Sequence, residues 1–276
     1  MRNRHTCIFL ALLGASVGAS AQWAVFRDPT APRTKNDKPN LSAPAPRLNG
    51  KPDLTGIWEP ESAPLAEIGQ FLLPEGINGL GEDLPSKYFF NFFADVPMGK
   101  EPFQPAAGAM YQKMSQSPGA PPTLCPPMSL PFADQLPSPY KIVQTPRVML
   151  FLYEADTVFR QVFSDGRKLP SDPQPSWLGY SVGRWEGDTF VAESVGFNDK
   201  APLDAMQHPH SESLRVTERF RRLDFGHLEV QVTIDDPKIY TKPVTIRVTH
   251  RLLPDTEIIE NFCSEGERDL AHLAAK

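Results

Sequence analysis

The sequence predicts a mainly β protein: an antiparallel meander, closed or strongly curved into a barrel, with an irregular proline-rich N-terminal arm and one short helix. Three observations carry this. From Tyr140 onward, short apolar or β-branched segments recur between turn residues. Several of them alternate, with Leu228, Val230, Val232 and Ile234 on one face and Glu229, Gln231 and Thr233 on the other. Finally, 22 of the 30 prolines fall between Gln22 and Pro146, where a fixed φ and a missing amide donor oppose a regular sheet. The hairpin spacing leaves hardly any room for crossover helices, which excludes a doubly wound α/β fold. Closing the meander removes its edges, and a β-sandwich is the rival architecture.

Residues 1–21 read as a signal peptide. Arg2, Arg4 and His5 precede an apolar run from Ile8 to Leu13, and Ala19-Ser20-Ala21 offers small residues for cleavage before Gln22. The apolar run is well short of the roughly 20 residues that cross a bilayer, so no membrane span is expected. The implied location is periplasmic or secreted. Cleavage removes Arg2 and Arg4 and takes the formal charge from −5 to −7, which disfavours a nucleic-acid partner. Cys125 and Cys263 remain, and an oxidising compartment permits them to form a disulfide.

Residues 22–139 read as a wrapping arm. Within it, Leu54-Thr55-Gly56-Ile57-Trp58 looks like a first strand with Trp58 as a core anchor. Tyr88, Phe89, Phe90, Phe92 and Phe93 either pack over the body or form a protein-contact surface at 88–93. Phe103, Ala107, Met110, Tyr111 and Met114 recur at helical steps, and Pro105 suits the first turn of that helix. Residues 118–139 look irregular.

The β body spans 140–276. Strands are expected at Tyr140–Gln144, Val148–Tyr153, 157–163, 177–185, 189–197, 214–221, 228–234, Val244–Leu252 and 257–263. Glu186-Gly187-Asp188 is a three-residue hairpin connection, and Asp165-Gly166 marks another turn.

Exceptions to the alternation point to a site. Arg160, Arg184, Glu193, Glu218 and His250 share parity with apolar neighbours. A charge aimed into a dry core is costly unless paired, so the options are buried ion pairs, a ligand cavity, or a bulge that reverses parity. A second lead is the run Gln207-His208-Pro209-His210-Ser211-Glu212. His208 or His210 suits a general base, with Glu212 orienting the imidazole and Arg184 stabilising negative charge. Asp165, Arg167 and Glu218 are further ligand-binding candidates, and Trp177, Tyr180 and Trp185 would form an aromatic cup. No organic cofactor is expected. A divalent metal would draw on His208, His210 and His227. No nucleophile elbow, HExxH helix, P-loop or dinucleotide fingerprint occurs.

The segment Pro52-Asp53-Leu54-Thr55-Gly56-Ile57-Trp58 resembles the opening of a broad family of poorly characterised exported bacterial β-rich proteins. The resemblance extends through Tyr140-Lys141-Ile142-Val143-Gln144-Thr145-Pro146, through Gly179-Tyr180-Ser181-Val182-Gly183-Arg184-Trp185-Glu186-Gly187-Asp188-Thr189, and through His208-Pro209-His210-Ser211-Glu212 followed by Arg215-Val216-Thr217-Glu218-Arg219-Phe220. It implies export and a shared β-rich body, and carries over no activity, cofactor or catalytic residue. The functional expectation is a cofactor-independent acid–base lyase or isomerase acting on a small, partly apolar molecule. The alternatives are a non-catalytic periplasmic carrier and an envelope interaction module.

Overall fold

A computed structural model describes residues 26–71, 85–116 and 127–262. The proposed signal peptide, Cys125 and Cys263 lie outside these residues. Eleven strands follow the chain: β1 (Arg47–Leu48), β2 (Lys51–Pro52), β3 (Gly56–Pro60), β4 (Tyr140–Gln144), β5 (Val148–Tyr153), β6 (Phe159–Phe163), β7 (Tyr180–Glu186), β8 (Thr189–Val195), β9 (Arg215–Arg222), β10 (His227–Asp235) and β11 (Val244–Leu252). The first two pair as a small antiparallel sheet, and β3 to β11 form a closed nine-strand barrel.

Period-two alternation turns each stave into one inward and one outward face. On β10 the buried Leu228, Val230, Val232 and Ile234 lie opposite Arg222, Phe220, Glu218 and Val216 of β9. Their other neighbours are His250, Val248, Ile246 and Val244 of β11. Trp58, Tyr140, Ile142, Phe151, Phe190 and Phe220 fill much of the remaining interior.

The barrel departs from a pure antiparallel meander at one seam. β6 and β7 run parallel and pair only through Val162↔Ser181 and Phe163↔Val182. A two-residue turn cannot make that connection, so the chain takes the long course of residues 164–179 despite the Asp165-Gly166 signal. The strand expected at 257–263 is also absent from 257–262, which instead touch the body through the isolated bridge Ala155↔Asn261.

Residues from the N-terminal half are built into this body. β3 closes the barrel between β11 and β4. Arg33 grips Asp255 through two hydrogen bonds of 2.5 and 2.7 Å, and the amides of Phe225 and Gly226 donate to Ala43 and Leu41. Among the described residues three short α-helices occur where one was expected: α1 (Leu65–Ile68), α2 (Lys87–Phe90) and α3 (Pro105–Gln116), the last beginning at Pro105. Phe92 and Phe93 are fully buried and Tyr88 nearly so, which packs these members of the aromatic run inward, while Phe89 and Phe90 are half-buried.

Candidate functional site

The charged residues that broke the alternation divide into two groups. Arg160, Glu218 and His250 point into the barrel, each at most 3% exposed. Arg184 and Glu193 point outward and pair with one another at 3.1 Å, and Arg184 also holds Glu186 at 2.8 Å. On β7 and β8 the inward positions include the small residues Ser181, Ala192 and Ser194 as well as Phe190. Arg184 is therefore a surface ion-pair residue, remote from the interior charges.

Inside, the Arg160 guanidinium is bound to Glu218 through both terminal nitrogens. Its Nε donates to Ser181 Oγ at 3.1 Å and Nη2 to Ser194 Oγ at 2.9 Å, so its donors are well used. Burial alone would disfavour the guanidinium charge, but Glu218 outweighs burial and raises the pKa of Arg160.

Asp134 completes the group from the short 3-10 turn Phe132–Gln135. Its Oδ1 accepts from Tyr153 Oη at 2.6 Å, while Oδ2 lies 3.9 Å from Arg160 Nη1. Burial, followed by the neighbouring negative charge of Glu218, pushes the Asp134 carboxyl well above the ordinary carboxylate range. The Oδ2 atom is buried without a hydrogen-bond partner among the described residues, so burial favours the protonated form of Asp134. Two carboxyl groups and one arginine thus coexist at nearly zero exposure because Glu218 is ion-paired with Arg160 while burial favours the neutral form of Asp134.

Beside it, Tyr140 Oη lies 2.9 Å from His250 Nδ1, and burial lowers the His250 pKa to about 3. His250 is thus a neutral core imidazole.

A cleft of about 580 Å³ opens at the short β6–β7 seam. Phe159, Phe163, Trp177 and Tyr180 contribute its walls, Met128 lies at one side, and Arg160 and Ser181 border it from within the barrel. The Tyr180 and Phe163 rings are 5.5 Å apart. Gly179 turns the chain into β7 at φ +66°, and a Cβ there would come within 2.8 Å of the Val195 carbonyl oxygen. Arg167 packs on two of the lining residues, with its guanidinium 3.8 Å from the Phe163 ring centroid and Nη1 donating to Tyr180 Oη. Arg167 also holds Asp165 at 2.7 Å, which lowers the Asp165 pKa to about 2. Trp185 is elsewhere, packed edge-on to Phe190 with Lys51 over its ring.

The histidine loop forms a separate locus. His208 is buried, with Nδ1 2.6 Å from Asp204 Oδ2, and stacks at 4.7 Å on Tyr111. The same Asp204 oxygen accepts from Phe92 N at 2.6 Å, so the loop latches the aromatic segment to the body. Asp204 orients His208, whereas Glu212 is exposed and bonds to neither imidazole. His210 is buried against Phe197, and burial lowers its pKa. His227 pairs with Asp224 at 2.7 Å. Among the described residues, no group of three or more His, Cys, Asp or Glu side chains is placed to hold a metal ion, so these three histidines do not converge.

The sequence reading therefore located Glu218, Trp177, Tyr180, Asp165 and Arg167 near the seam or the interior group, and missed Asp134, Tyr153 and Ser181 as members. Asp134 lies in the proline-rich segment, where no strand parity marks a residue as inward. Comparison with protein-family models, curated proteins and solved structures found no match.

Proposed function

We propose that this protein binds a small, partly apolar molecule in the β6–β7 cleft. The observation that carries the reading is the meeting of aromatic walls with the buried polar pair Arg160 and Ser181 at one concave site, the usual composition of a ligand pocket. Native mass spectrometry of the purified protein, followed by titration of the retained molecule, tests it. Trp177→Ala should weaken binding at least tenfold, and an unchanged affinity would remove the cleft from consideration.

A second reading, cofactor-independent acid–base chemistry of the lyase or isomerase type, is favoured by one further observation. Asp134, whose carboxyl burial pushes well above the ordinary carboxylate range, and Glu218 both contact Arg160, which would place a proton donor and an acceptor in one group. In this reading the proton moves through Asp134 and Glu218, while His208 acts as a latch. Incubating the protein with its ligand in deuterated water and following the ligand by NMR separates catalyst from carrier. Product, or deuterium incorporation lost in Glu218→Gln, supports catalysis; an unaltered ligand supports carriage.

The same reading has the chain acting in the periplasm or outside the cell after cleavage at Gln22, with Cys125 joined to Cys263. The intact mass of exported protein, before and after reduction, tests both points.

A further inference from the structure

The seam is a break in the barrel's hydrogen-bond ladder as well as a cleft. Tyr153 N donates to Val158 O, and Ser164 N donates to Arg147 O, which sets the phase of the β5–β6 ladder. Even-numbered residues of β6 direct their backbone groups toward β5, so those of Phe159 and Gln161 point toward the β7 side. Pairing there is confined to Val162 and Phe163. Phe159 and the Gln161 amide consequently lie beyond the last pair, on a strand edge that is open among the described residues and borders the cleft, and Phe159 is 62% exposed. The facing wall does not fill this edge. Ser176 donates to Gly196 O and accepts from Asn198 N, so it pairs away from β6.

Charge narrows the occupant further. Arg160 is the charged side chain among the residues lining the cleft, and Glu218 neutralises it. Arg167, which contacts the lining residues Phe163 and Tyr180, is paired with Asp165. A charged group entering the cleft would lose water without gaining a free counter-charge.

We infer that the cleft takes an uncharged, extended peptide segment, whose backbone amides pair with the open edge of β6 while apolar side chains rest against Phe159, Trp177 and Tyr180. Adding a strand to an exposed edge is a general mode of peptide recognition, in which backbone bonds supply affinity and alternate side chains supply selectivity. This inference rests on the reading of the cleft as the binding site and names the ligand class for it.

The test is calorimetric titration of the full chain and of Trp177→Ala with four probes. These are an end-blocked Val-Phe-Val tripeptide, its backbone N-methylated counterpart, an end-blocked Glu-Phe-Glu tripeptide, and 2-naphthol as an apolar probe without an amide. The expected result is binding of the blocked apolar peptide, at least tenfold weaker binding of the N-methylated and acidic forms, and loss of binding in Trp177→Ala. Equal affinity for the N-methylated peptide, or tighter binding of the acidic one, overturns the inference. If 2-naphthol binds in a Trp177-dependent way and no peptide does, the cleft remains a ligand site and the peptide inference falls. If none of the four binds, both fall.

Discussion

Replacing Asp134 by asparagine should make the protein more stable relative to wild type as the pH rises. The substitution preserves the observed bond, because Asn Oδ1 can accept from Tyr153 Oη as Asp134 Oδ1 does. In the unfolded chain Asp134 ionises near its ordinary value of about 3.9, whereas the native barrel keeps it protonated to a much higher pH. Over that window the native state binds more protons than the unfolded state, so stability falls with rising pH by about 1.4 kcal/mol per unit. The asparagine variant lacks this linkage, so its advantage over wild type widens with each pH unit inside that window. His250 acts in the opposite direction. Its folded pKa is depressed to about 3, so its contribution rises with pH until about 6.5, the unfolded value. The two slopes offset one another in mildly acidic wild-type protein, and the variant exposes the histidine slope alone. Urea unfolding of both proteins at pH 5, 6 and 7 measures the difference. Parallel profiles would show that Asp134 is ionised in the native barrel and would refute the assignment of the proton.

Arg160→Met leaves the Glu218 carboxylate buried without its cation and should cost about 3–5 kcal/mol in urea unfolding at pH 7. Asp204→Ala removes the acceptor shared by His208 and the Phe92 amide, so a loss of about 2–4 kcal/mol is expected, with faster hydrogen exchange at Phe92 as the local readout. Gly183→Ala places a methyl group 2.3 Å from the Phe190 ring and should lower stability by about 1–3 kcal/mol in thermal unfolding.

Much of the barrel was legible because its staves obey a strict period of two. The buried row Leu228, Val230, Val232 and Ile234 could be assigned from sequence, and the same rule marked Glu218 and His250 as inward. The rule failed at Arg184 and Glu193 because apolar residues there do not identify the interior face: Val191 is buried while its side chain shares the outer face. The parallel seam was illegible for a different reason. Local turn chemistry at Asp165-Gly166 resembles a hairpin, and nothing nearby specifies that the next strand will return from the opposite direction. Asp134 was hidden because a 3-10 turn after a proline-rich stretch has no extended periodicity. His208 and His210 drew attention as rare titratable residues, yet rarity does not distinguish a reactive imidazole from one fixed in an aromatic latch.

The placement of β3 has a consequence for how the molecule comes together. Trp58 pairs with Tyr140 on one side and Leu252 on the other, so one stave unites distant parts of the chain. During synthesis this stave emerges early but cannot complete its pairing until β11 has also emerged. Such a high contact order places ring closure late and favours slow folding, on the scale of about milliseconds to seconds. Until then the assembly is an open ribbon with two adhesive borders, vulnerable to association with other nascent chains. Trp58, the only tryptophan in β3, would report that final closure through the change in its fluorescence as Leu252 arrives beside it.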